Sequence, residues 1–274
     1  MIIGIMGYGR AAKAVISVLS ESDSITIEWI VKKKVTNEDY YNEITKRRIK
    51  IYSTEEITCE ELIAKHPVNI ILDFSSESGA DYYLNTASLE RIAVISAISN
   101  YSISKIAQLK KAAKQTCVFY SPNITIGVNF LMISAKILKK IAPHADITII
   151  EEHFSAKDDI SGTAKVIAKS LDIKTNKIKS IRAGGIVGTH EVLFGFPYQT
   201  VRIKHESIAR EAFGNGARFA LREIQKRTHG FYNMEDLVGK YFVDANARYA
   251  IDEIAHHDGR IRELITRIRR KVRH

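Results

Sequence analysis

The first 125 residues alternate between short apolar runs and stretches in which apolar residues have helical spacing. The apolar runs carry almost no polar residues and lie at residues 1–6, 25–31, 68–74, 91–96 and 116–121. Helical spacing occurs directly after Gly9 and again at residues 55–65, 78–89 and 102–115. Uniformly apolar strands that alternate with helices are typical of a parallel sheet covered on both faces. The pattern predicts a doubly wound α/β fold for this part of the chain.

The pattern changes after about residue 125, where strands follow one another more closely. We expect helices at residues 127–142, 162–171 and 208–226, and strands at residues 146–154, 177–183, 186–194 and 200–206. Strands bunched in this way favour a mixed or antiparallel sheet, and hence a second domain of the α+β type. The expected organisation is a first domain over 1–125, rejoined by about 218–240, and a second domain over 126–217.

Residues 243–274 form a basic extension in which apolar residues recur every three or four positions. These apolar residues are Ile251, Ile254, Ile261, Leu264, Ile265, Ile268 and Val272. Their spacing predicts an amphipathic helix that packs on the protein or on a partner subunit, with binding of an anionic partner as the alternative. The net charge of the chain is +10, and residues 260–274 hold seven Arg or Lys against one Glu. Because the rest is only mildly basic, no nucleic-acid partner is expected.

Composition also bears on location and on metal binding. No apolar run approaches the roughly 18 residues that a membrane span needs, so no membrane association is expected. The apolar N-terminus is followed at once by a glycine turn, which favours a buried strand over a signal peptide. The two cysteines, Cys59 and Cys117, lack the spacing of metal or redox sites. We therefore expect a cytoplasmic protein without a metal site.

A glycine-rich turn lies between the first predicted strand and the first predicted helix. Its sequence, GYGRAA, follows the pattern G-x-G-x-x-A. Such a turn lets the backbone approach a pyrophosphate, and the helix N-terminus attracts the anion. An ordinary strand-to-helix turn is the alternative. We interpret the segment as a dinucleotide site formed by Gly7, Tyr8, Gly9, Arg10, Ala11 and Ala12.

The end of the second strand distinguishes the two nicotinamide cofactors. An acid at this position hydrogen-bonds the ribose 2′-hydroxyl of NAD, whereas a basic residue accommodates the 2′-phosphate of NADP. Here the strand ends in Lys32, Lys33 and Lys34, without an acid. We infer that NADP(H) is preferred and that NAD(H) can also serve. A solvated basic loop would give the same sequence.

Residues 151–165, EEHFSAKDDISGTAK, place a histidine four residues before a lysine. His153 can supply a proton near neutral pH. Lys157 can stabilise developing negative charge or bind a carboxylate. A surface histidine at a strand end is the alternative for His153. Glu151 and Glu152 are interpreted as solvent-facing strand acids.

A Ser-Gly-Thr turn follows at the start of a predicted helix. Ser161, Gly162 and Thr163 offer backbone N–H groups and two hydroxyls to an anion. A plain helix N-cap at Ser161 is the alternative, and the two interpretations are compatible. The segment therefore combines a proton donor, a cation and an anion-binding turn within fifteen residues.

Six separated motifs occur in the order found in the dihydrodipicolinate (4-hydroxy-tetrahydrodipicolinate) reductases, and the chain resembles that family over about residues 1–240. The motifs are GYGRAAKAV, LDFS, SPNITIGVN, EEHFSAK with SGTAK, RAGGIVGTHEVLF and HESIAREAFGNGA. The resemblance implies a Rossmann domain and a mixed-sheet domain for substrate binding and oligomerisation. It implies NAD(P)H-dependent hydride transfer to an anionic cyclic imine or dihydropyridine dicarboxylate, in the diaminopimelate and lysine pathway. It also implies a homo-oligomer, either a dimer or a tetramer.

The resemblance assigns roles to residues of this sequence. His153 falls on the family's proton donor and acceptor position, and Lys157 falls on the position of its partner proton donor. The Ser-Gly-Thr turn falls on the loop that binds a substrate carboxylate. Residues that match cofactor-contacting segments of the family are Phe74, Ser75, Ser96, Ala97, Ile98, Ser121, Pro122, Asn123, Ile124, Arg210 and Phe213.

The sequence departs from the family's usual pattern at four places. Phe154 replaces the second of two adjacent histidines at a substrate-contacting position. Residues 96–99, SAIS, stand in place of a Gly-Thr-Thr-Gly turn. The loss of the two glycines limits how closely the backbone can approach the nicotinamide and the substrate. The loop before Ser161 lacks a proline and is one residue shorter, and the segment after its helix is short in a region that contacts neighbouring subunits in relatives. These departures motivate two alternatives: a divergent reductase for a related cyclic imine in specialised metabolism, and a non-catalytic nucleotide-binding protein.

Overall fold

The computed structural model describes residues 1–36, 41, 44 and 48–243. The chain divides into two compact units, Met1–Met234 and Glu235–His274. In the second unit, residues 235–243 are helical. All but the first residue of the predicted basic extension, 243–274, lies outside the described residues. No helix in the described ranges is both long enough and apolar enough to cross a membrane.

The first unit contains a seven-stranded sheet in which every pair of neighbours is parallel. Its strands are β1 (Ile2–Met6), β2 (Thr26–Lys32), β3 (Ile51–Ser53), β4 (Ile70–Asp73), β5 (Ala93–Ser96), β6 (Cys117–Tyr120) and β11 (Gly230–Tyr232). Their order across the sheet is β11-β6-β5-β4-β1-β2-β3. The chain reverses direction across the sheet between β1 and β4, the point at which doubly wound sheets bind ligands. The predicted parallel fold is confirmed, although the three-residue strand β3 was not predicted.

Four helices connect the strands of this sheet. They are α1 (Arg10–Ser20), α2 (Cys59–Lys65), α3 (Gly79–Leu89) and α4 (Ile103–Ala112). Helix α2 begins four residues later than its apolar spacing predicts, because a capping box fixes its start. The Thr58 hydroxyl accepts from the backbone N–H of Glu61, and the Glu61 carboxylate accepts from the backbone N–H of Thr58.

The core of the first sheet is formed by the apolar strand residues that define the sequence pattern. Fully buried side chains on the central strands include Ile3, Ile5, Ile71, Leu72, Val94 and Ile95. Trp29 on β2 is also buried, and its ring fills the space that a side chain at Gly4 would occupy. Burial on both faces explains why these strands show no polar alternation.

A second sheet has four strands and mixed direction. They are β7 (Asp146–His153), β8 (Ile178–Arg182), β9 (Gly188–Phe196) and β10 (Gln199–Ser207), in the order β10-β9-β7-β8. The β7–β8 pair is parallel, and the other two pairs are antiparallel. Helices α5 (Ile126–Ile141) and α6 (Gly162–Ser170) share an apolar core with this sheet. The predicted mixed sheet is confirmed.

Helix α7 (Glu211–Ile224) and strand β11 return the chain to the first sheet. Helix α7 approaches α1 closely, since a Cβ at Gly214 would lie 2.5 Å from the Val18 side chain. Strand β11 then adds to the edge of the first sheet by pairing in parallel with β6. The expected domain boundaries remain a prediction, whereas the two sheets are observed.

Candidate active site

A cleft of about 270 Å³ lies where the carboxyl ends of the parallel strands meet one end of the second sheet. Nine of the predicted site residues line it: Ala11, Phe74, Ala97, Pro122, Asn123, Ile124, His153, Thr163 and Phe213. These residues come from seven separate segments of the chain. The fold therefore brings the two halves of the predicted site to one place.

The glycine turn after β1 has the geometry that a phosphate group needs. Gly7 has a φ of 101° and donates its N–H to the Val31 carbonyl at 2.7 Å. A Cβ at Gly7 would lie 2.8 Å from the Phe74 carbonyl, so only glycine fits. Gly9 is the N-cap of α1, and a Cβ there would meet nothing within 4 Å. No side chain caps α1 and no acid lies in its first turn, so its N–H groups can receive an anion.

The residues next to the glycines differ in exposure. Ala12 is fully buried under the turn, whereas Arg10, the first residue of α1, is exposed. Tyr8 is half-buried, and the Lys13 ammonium lies 4.6 Å from its ring centroid. Lys32 ends β2 and is half-buried, and Lys33 follows it and is exposed.

A buried carboxylate organises the loop after β4. Asp73 is fully buried and accepts from both the backbone N–H and the hydroxyl of Ser75, at 2.8 and 2.6 Å. The Tyr83 and Tyr101 hydroxyls donate to its other oxygen at 2.8 and 3.2 Å. Burial raises the pKa of Asp73, and these hydrogen bonds oppose that rise. The network fixes the loop that carries Phe74 and Ser75.

The segment after β5 contributes unequally to the cleft. Ser96 is fully buried, and its hydroxyl pairs with that of Tyr101 at 2.9 Å. Ala97 and Ser99 line the cleft. Ile98 is buried and is not among the residues that line the cleft. Its apolar side chain therefore packs in the protein, which explains why an isoleucine is tolerated there.

The loop after β6 is held by its own polar groups. The Ser121 hydroxyl donates to the Asn123 carbonyl at 2.7 Å. The Asn129 side chain donates to the carbonyls of Asn123 and Thr125 at 2.8 and 2.7 Å. The Thr163 hydroxyl donates to the Asn123 side-chain oxygen at 2.8 Å. The predicted cofactor loop and the predicted carboxylate loop are thus directly bonded.

Helix α6 starts at the Ser-Gly-Thr turn. Ser161 is its N-cap, and its hydroxyl accepts from the backbone N–H of Ala164. Gly162 is exposed, and a Cβ there would meet nothing within 4 Å. Thr163 lines the cleft. The N-cap interpretation is confirmed, and anion binding at this turn remains a prediction.

Glu151 is fully buried at the centre of a hydrogen-bond network, so its interpretation as a solvent-facing acid is wrong. Arg182 donates to both of its oxygens, from Nη2 to Oε1 at 2.6 Å and from Nη1 to Oε2 at 3.0 Å. The Ser180 hydroxyl donates to Oε1 at 2.6 Å, and the backbone N–H of Ser161 donates to it at 3.3 Å. His153 Nδ1 lies 2.5 Å from Oε2.

The network keeps Glu151 ionised despite its burial. Burial alone would raise the pKa of Glu151, but the hydrogen bonds from Arg182, Ser180, His153 and Ser161 lower it to about 2. The adjacent Glu152 is partly exposed, so the two acids differ in environment. Near neutral pH a negative charge therefore lies directly behind the predicted proton donor.

Two further histidines line the cleft, and neither was assigned a role from the sequence. His190 on β9 and His205 on β10 are paired across the antiparallel ladder. His190 Nε2 lies 2.9 Å from the Ser161 hydroxyl oxygen, and its ring meets that of His153 edge-on with centroids 5.3 Å apart. Burial, together with the charges of the other two histidines, lowers the pKa of His190 to about 4. His190 is therefore neutral near pH 7.

His205 lies against the start of α5. A Cβ at Gly127 would be 2.3 Å from the His205 ring, so the glycine makes room for it. Burial lowers the pKa of His205. Its Nδ1 atom is buried and has no hydrogen-bond partner among the described residues. His205 thus carries a buried ring nitrogen whose hydrogen bond is not supplied by the described residues.

The alternation of apolar residues along β9 and β10 indicates that these two histidines point inward. His190 shares a face of β9 with the buried residues Val192 and Phe194, and His205 shares a face of β10 with Val201 and Ile203. Histidines at inward positions of a strand face the same side as the core.

Several predicted site residues lie away from the cleft wall. Lys157 lies in the turn after β7, where its N–H donates to the Phe154 carbonyl and its carbonyl accepts from Arg182 Nε. Phe154 is 43% exposed. Arg210 precedes α7 and is exposed. Their roles remain predictions. In the described part of the chain, no group of three His, Cys, Asp or Glu side chains is placed to hold a metal ion.

Two family models match the chain one after the other. The model "Dihydrodipicolinate reductase, N-terminus" matches residues 1–124, and "Dihydrodipicolinate reductase, C-terminus" matches residues 127–238. The junction falls between the loop after β6 and the start of α5. The two matches together span both sheets and every residue that lines the cleft except Thr125.

Similar proteins include 4-hydroxy-tetrahydrodipicolinate reductases of Caldanaerobacter subterraneus and Rickettsia bellii. The first is 31% identical over 64% of this chain and 79% of its own length. The second is 33% identical over 61% of this chain and 74% of its own length. The dipicolinate-bound dihydrodipicolinate reductase of Paenisporosarcina has the same fold, with a TM-score of 0.74 at 18% identity over 86% of this chain and 98% of that one. The chain therefore belongs to the dihydrodipicolinate reductase family.

Proposed function

We propose that the protein is an NAD(P)H-dependent reductase that acts on an anionic cyclic imine or dihydropyridine dicarboxylate, as a 4-hydroxy-tetrahydrodipicolinate reductase of lysine and diaminopimelate biosynthesis. One observation carries the proposal. The cleft joins the carboxyl edge of the parallel sheet, beside the glycine turn, to His153 and the start of α6. A reductase of this type needs a cofactor site and a proton donor that share one cavity.

The residues around the glycine turn fit a nicotinamide dinucleotide. The open space at Gly9 and the uncapped start of α1 suit its pyrophosphate. Lys32 and Lys33 would lie near the ribose, and their charge supports a preference for NADP(H), with NAD(H) as a second cofactor. Phe74, Ala97 and the loop after β6 would lie near the nicotinamide. When bound, the reduced cofactor supplies the hydride.

The start of α6 would bind a carboxylate of the substrate. Gly162 is exposed and offers its backbone N–H without a side chain to obstruct it. Thr163 lines the same cleft, and its hydrogen bond to Asn123 holds it there. The positive end of the helix dipole favours the anion. The resemblance assigns Lys157, in the turn after β7, to a second proton donor, and its ammonium group would also stabilise developing negative charge.

His153 would deliver the proton that accompanies hydride transfer. Its Nδ1 is bonded to Glu151, which leaves Nε2 as the nitrogen that exchanges a proton in the cleft. Nε2 lies beside the cleft residue Gly188, where a Cβ would be 3.1 Å away. The absence of a side chain at Gly188 keeps this nitrogen accessible. Proton transfer from a placed histidine contributes roughly 100-fold to 10,000-fold to such reactions.

We also infer a cytosolic homo-oligomer. The family resemblance supports oligomerisation, and both cysteines are free and buried, which suits a reducing compartment. The segment between α6 and β8, which contacts neighbouring subunits in relatives, is short in this chain. Both a dimer and the tetramer that is usual for relatives are therefore candidate assemblies. Sedimentation velocity of the full chain distinguishes the two assemblies.

Turnover with NADPH and with NADH, on the enzymatically generated dicarboxylate, tests the proposed function. We expect NADPH oxidation, and a loss of kcat of at least about 100-fold in His153→Ala and about 10-fold in Lys157→Ala. His144→Ala, at an exposed position, is the matched control and should keep full activity. A folded protein that turns over no dicarboxylate contradicts the proposal. Faster turnover of single-carboxylate imines would instead identify a divergent reductase.

A further inference from the structure

We propose that Glu151, held as a carboxylate by Arg182, is a positioning residue that orients His153 for proton transfer. This inference rests on the proposed role of His153 as proton donor. Neither the family resemblance nor the sequence pattern assigned a function to Glu151 or to Arg182. The observation behind it is a fully buried carboxylate in direct contact with the imidazole on the cleft wall.

The contact fixes which imidazole nitrogen faces the cleft. An ionised carboxylate has no proton to donate, so His153 Nδ1 must donate to Glu151 Oε2. The neutral ring therefore carries its proton on Nδ1, and Nε2 takes up and releases the proton for the reaction. A carboxylate behind a histidine also stabilises the imidazolium that forms when Nε2 is protonated.

Arg182 keeps the Glu151 carboxylate ionised and in place. An unpaired buried carboxylate would take up a proton, but a two-point guanidinium pair keeps it charged. Arg182 pairs with both Glu151 oxygens and is itself fixed by the carbonyls of Lys157 and Asp159, at 2.8 and 2.9 Å. The ion pair therefore also ties down the loop that leads to α6.

Glu151 reaches the carboxylate-binding turn as well. Its Oε1 accepts from the backbone N–H of Ser161, the N-cap of α6. One buried side chain thus contacts the predicted proton donor and the predicted anion-binding turn. A change of charge at Glu151 should disturb the proton step first, because the Ser161 contact at 3.3 Å is the longest of its hydrogen bonds.

Glu151→Gln tests the proposal, because glutamine keeps the shape and removes the charge. Glu152→Gln is the matched control, since Glu152 is the next residue on β7 and points to the other face. We expect Glu151→Gln to lower kcat by about 10- to 100-fold and to change the substrate KM by less than about 3-fold. The control should retain both constants.

The pH profile separates positioning from a structural role. Without the carboxylate, the dependence of kcat on pH should differ from that of the parent enzyme, because the protonated donor has lost its counter-charge. A variant that is merely less stable keeps the profile of the parent enzyme at the temperatures where it is folded. An unshifted profile with a lowered kcat would overturn the proposal.

A double variant gives an independent readout. If Glu151 acts through His153, then Glu151→Gln in the His153→Ala background should lower kcat by less than about 2-fold further. Multiplied losses would overturn the positioning role. Full activity of Glu151→Gln alone would also overturn it while leaving the reductase proposal intact. Full activity of His153→Ala would contradict the reductase mechanism itself.

A milder variant keeps the test available if Glu151→Gln does not fold. Ser180→Ala removes one hydrogen bond to Oε1 and leaves the ion pair in place. We expect it to lower kcat by about 3-fold and to move the pH profile in the same direction as Glu151→Gln. A profile identical to that of the parent enzyme would count against the proposal.

Discussion

The Thr163 hydroxyl donates a 2.8 Å hydrogen bond to the side-chain oxygen of Asn123. Thr163 is the second residue of α6, and Asn123 lies in the loop that follows β6. The bond joins the segments that the sequence assigns to substrate and to cofactor. The bond therefore holds the two segments at a fixed distance from each other.

Removal of this bond should weaken substrate binding. In Thr163→Val the shape is kept and the hydroxyl is lost, and we expect the substrate KM to rise about 10-fold with a smaller change in kcat. Steady-state kinetics with saturating NADPH measures both constants. Thr200→Val, at an exposed position of β10, is the matched control. An unchanged KM in Thr163→Val would show that the bond does not support the carboxylate turn.

The two glycines of the first turn should respond differently to alanine. Gly7→Ala places a methyl group 2.8 Å from the Phe74 carbonyl at a positive φ, so we expect a loss of about 2 kcal/mol or more in the free energy of unfolding. Gly9→Ala meets no protein atom within 4 Å, so stability should change by less than about 0.5 kcal/mol.

Cofactor titration completes the comparison of the glycines. A methyl group at Gly9 occupies the space through which a pyrophosphate approaches the start of α1, so the Kd for NADPH should rise at least about 10-fold. Denaturant unfolding and fluorescence titration of both variants measure the two effects. Tight NADPH binding by Gly9→Ala would place the dinucleotide elsewhere.

The lysines at the end of β2 should set the cofactor preference. Replacement of Lys32 and Lys33 by alanine removes the charges assigned to a 2′-phosphate, so kcat/KM for NADPH should fall about 10- to 100-fold. The value for NADH should stay within about 3-fold. Lys179→Ala, on the exposed β8, is the control for loss of a positive charge. Equal losses with both cofactors would contradict the preference for NADP(H).

Burial of His190 should make the protein less stable in mild acid. Its pKa falls from 6.5 in the unfolded chain to about 4 in the folded protein. Between these pH values the unfolded state binds a proton that the folded state does not, so the free energy of unfolding decreases as the pH falls. The decrease in the free energy of unfolding that is caused by His190 approaches about 3 kcal/mol at pH 4 and is absent above pH 6.5.

Denaturant unfolding between about pH 7 and 4 measures this slope. His190→Gln should lose less stability over this range than the parent protein, whereas the control His144→Gln, at an exposed histidine, should follow the parent. Glu151 affects stability at lower pH values. Its pKa falls from 4.5 in the unfolded chain to about 2 in the folded protein, so the stabilisation by its charge is lost as the pH drops between those values. Identical slopes for His190→Gln and the parent would contradict the assignment.

The first sheet was predictable because burial on both faces leaves a direct record in uniformly apolar strands. Strands β3 and β11 have three residues each, and so short a segment carries no periodicity. They form because neighbouring strands offer unpaired backbone groups. The start of α2 was displaced for a local reason, the capping box at Thr58.

The candidate site was predictable where one segment carries the chemistry, as in the glycine turn and at His153. Glu151 shows the limit of that approach. Glu151 lies on the buried face of β7 together with Ile147, Ile149 and His153. Its inward direction can therefore be predicted from the alternation of apolar and polar positions along the strand. What the local sequence does not contain is Arg182, which compensates the charge from a different strand.

The pairing of β11 with β6 has a consequence for biosynthesis. Gly230 pairs with Cys117 across about 110 intervening residues. Strand β6 therefore lacks its outer neighbour until most of the chain has left the ribosome. Contacts between such distant segments form slowly. During that interval the nascent polypeptide presents an unprotected strand, and chaperone capture at this edge would guard it against premature aggregation.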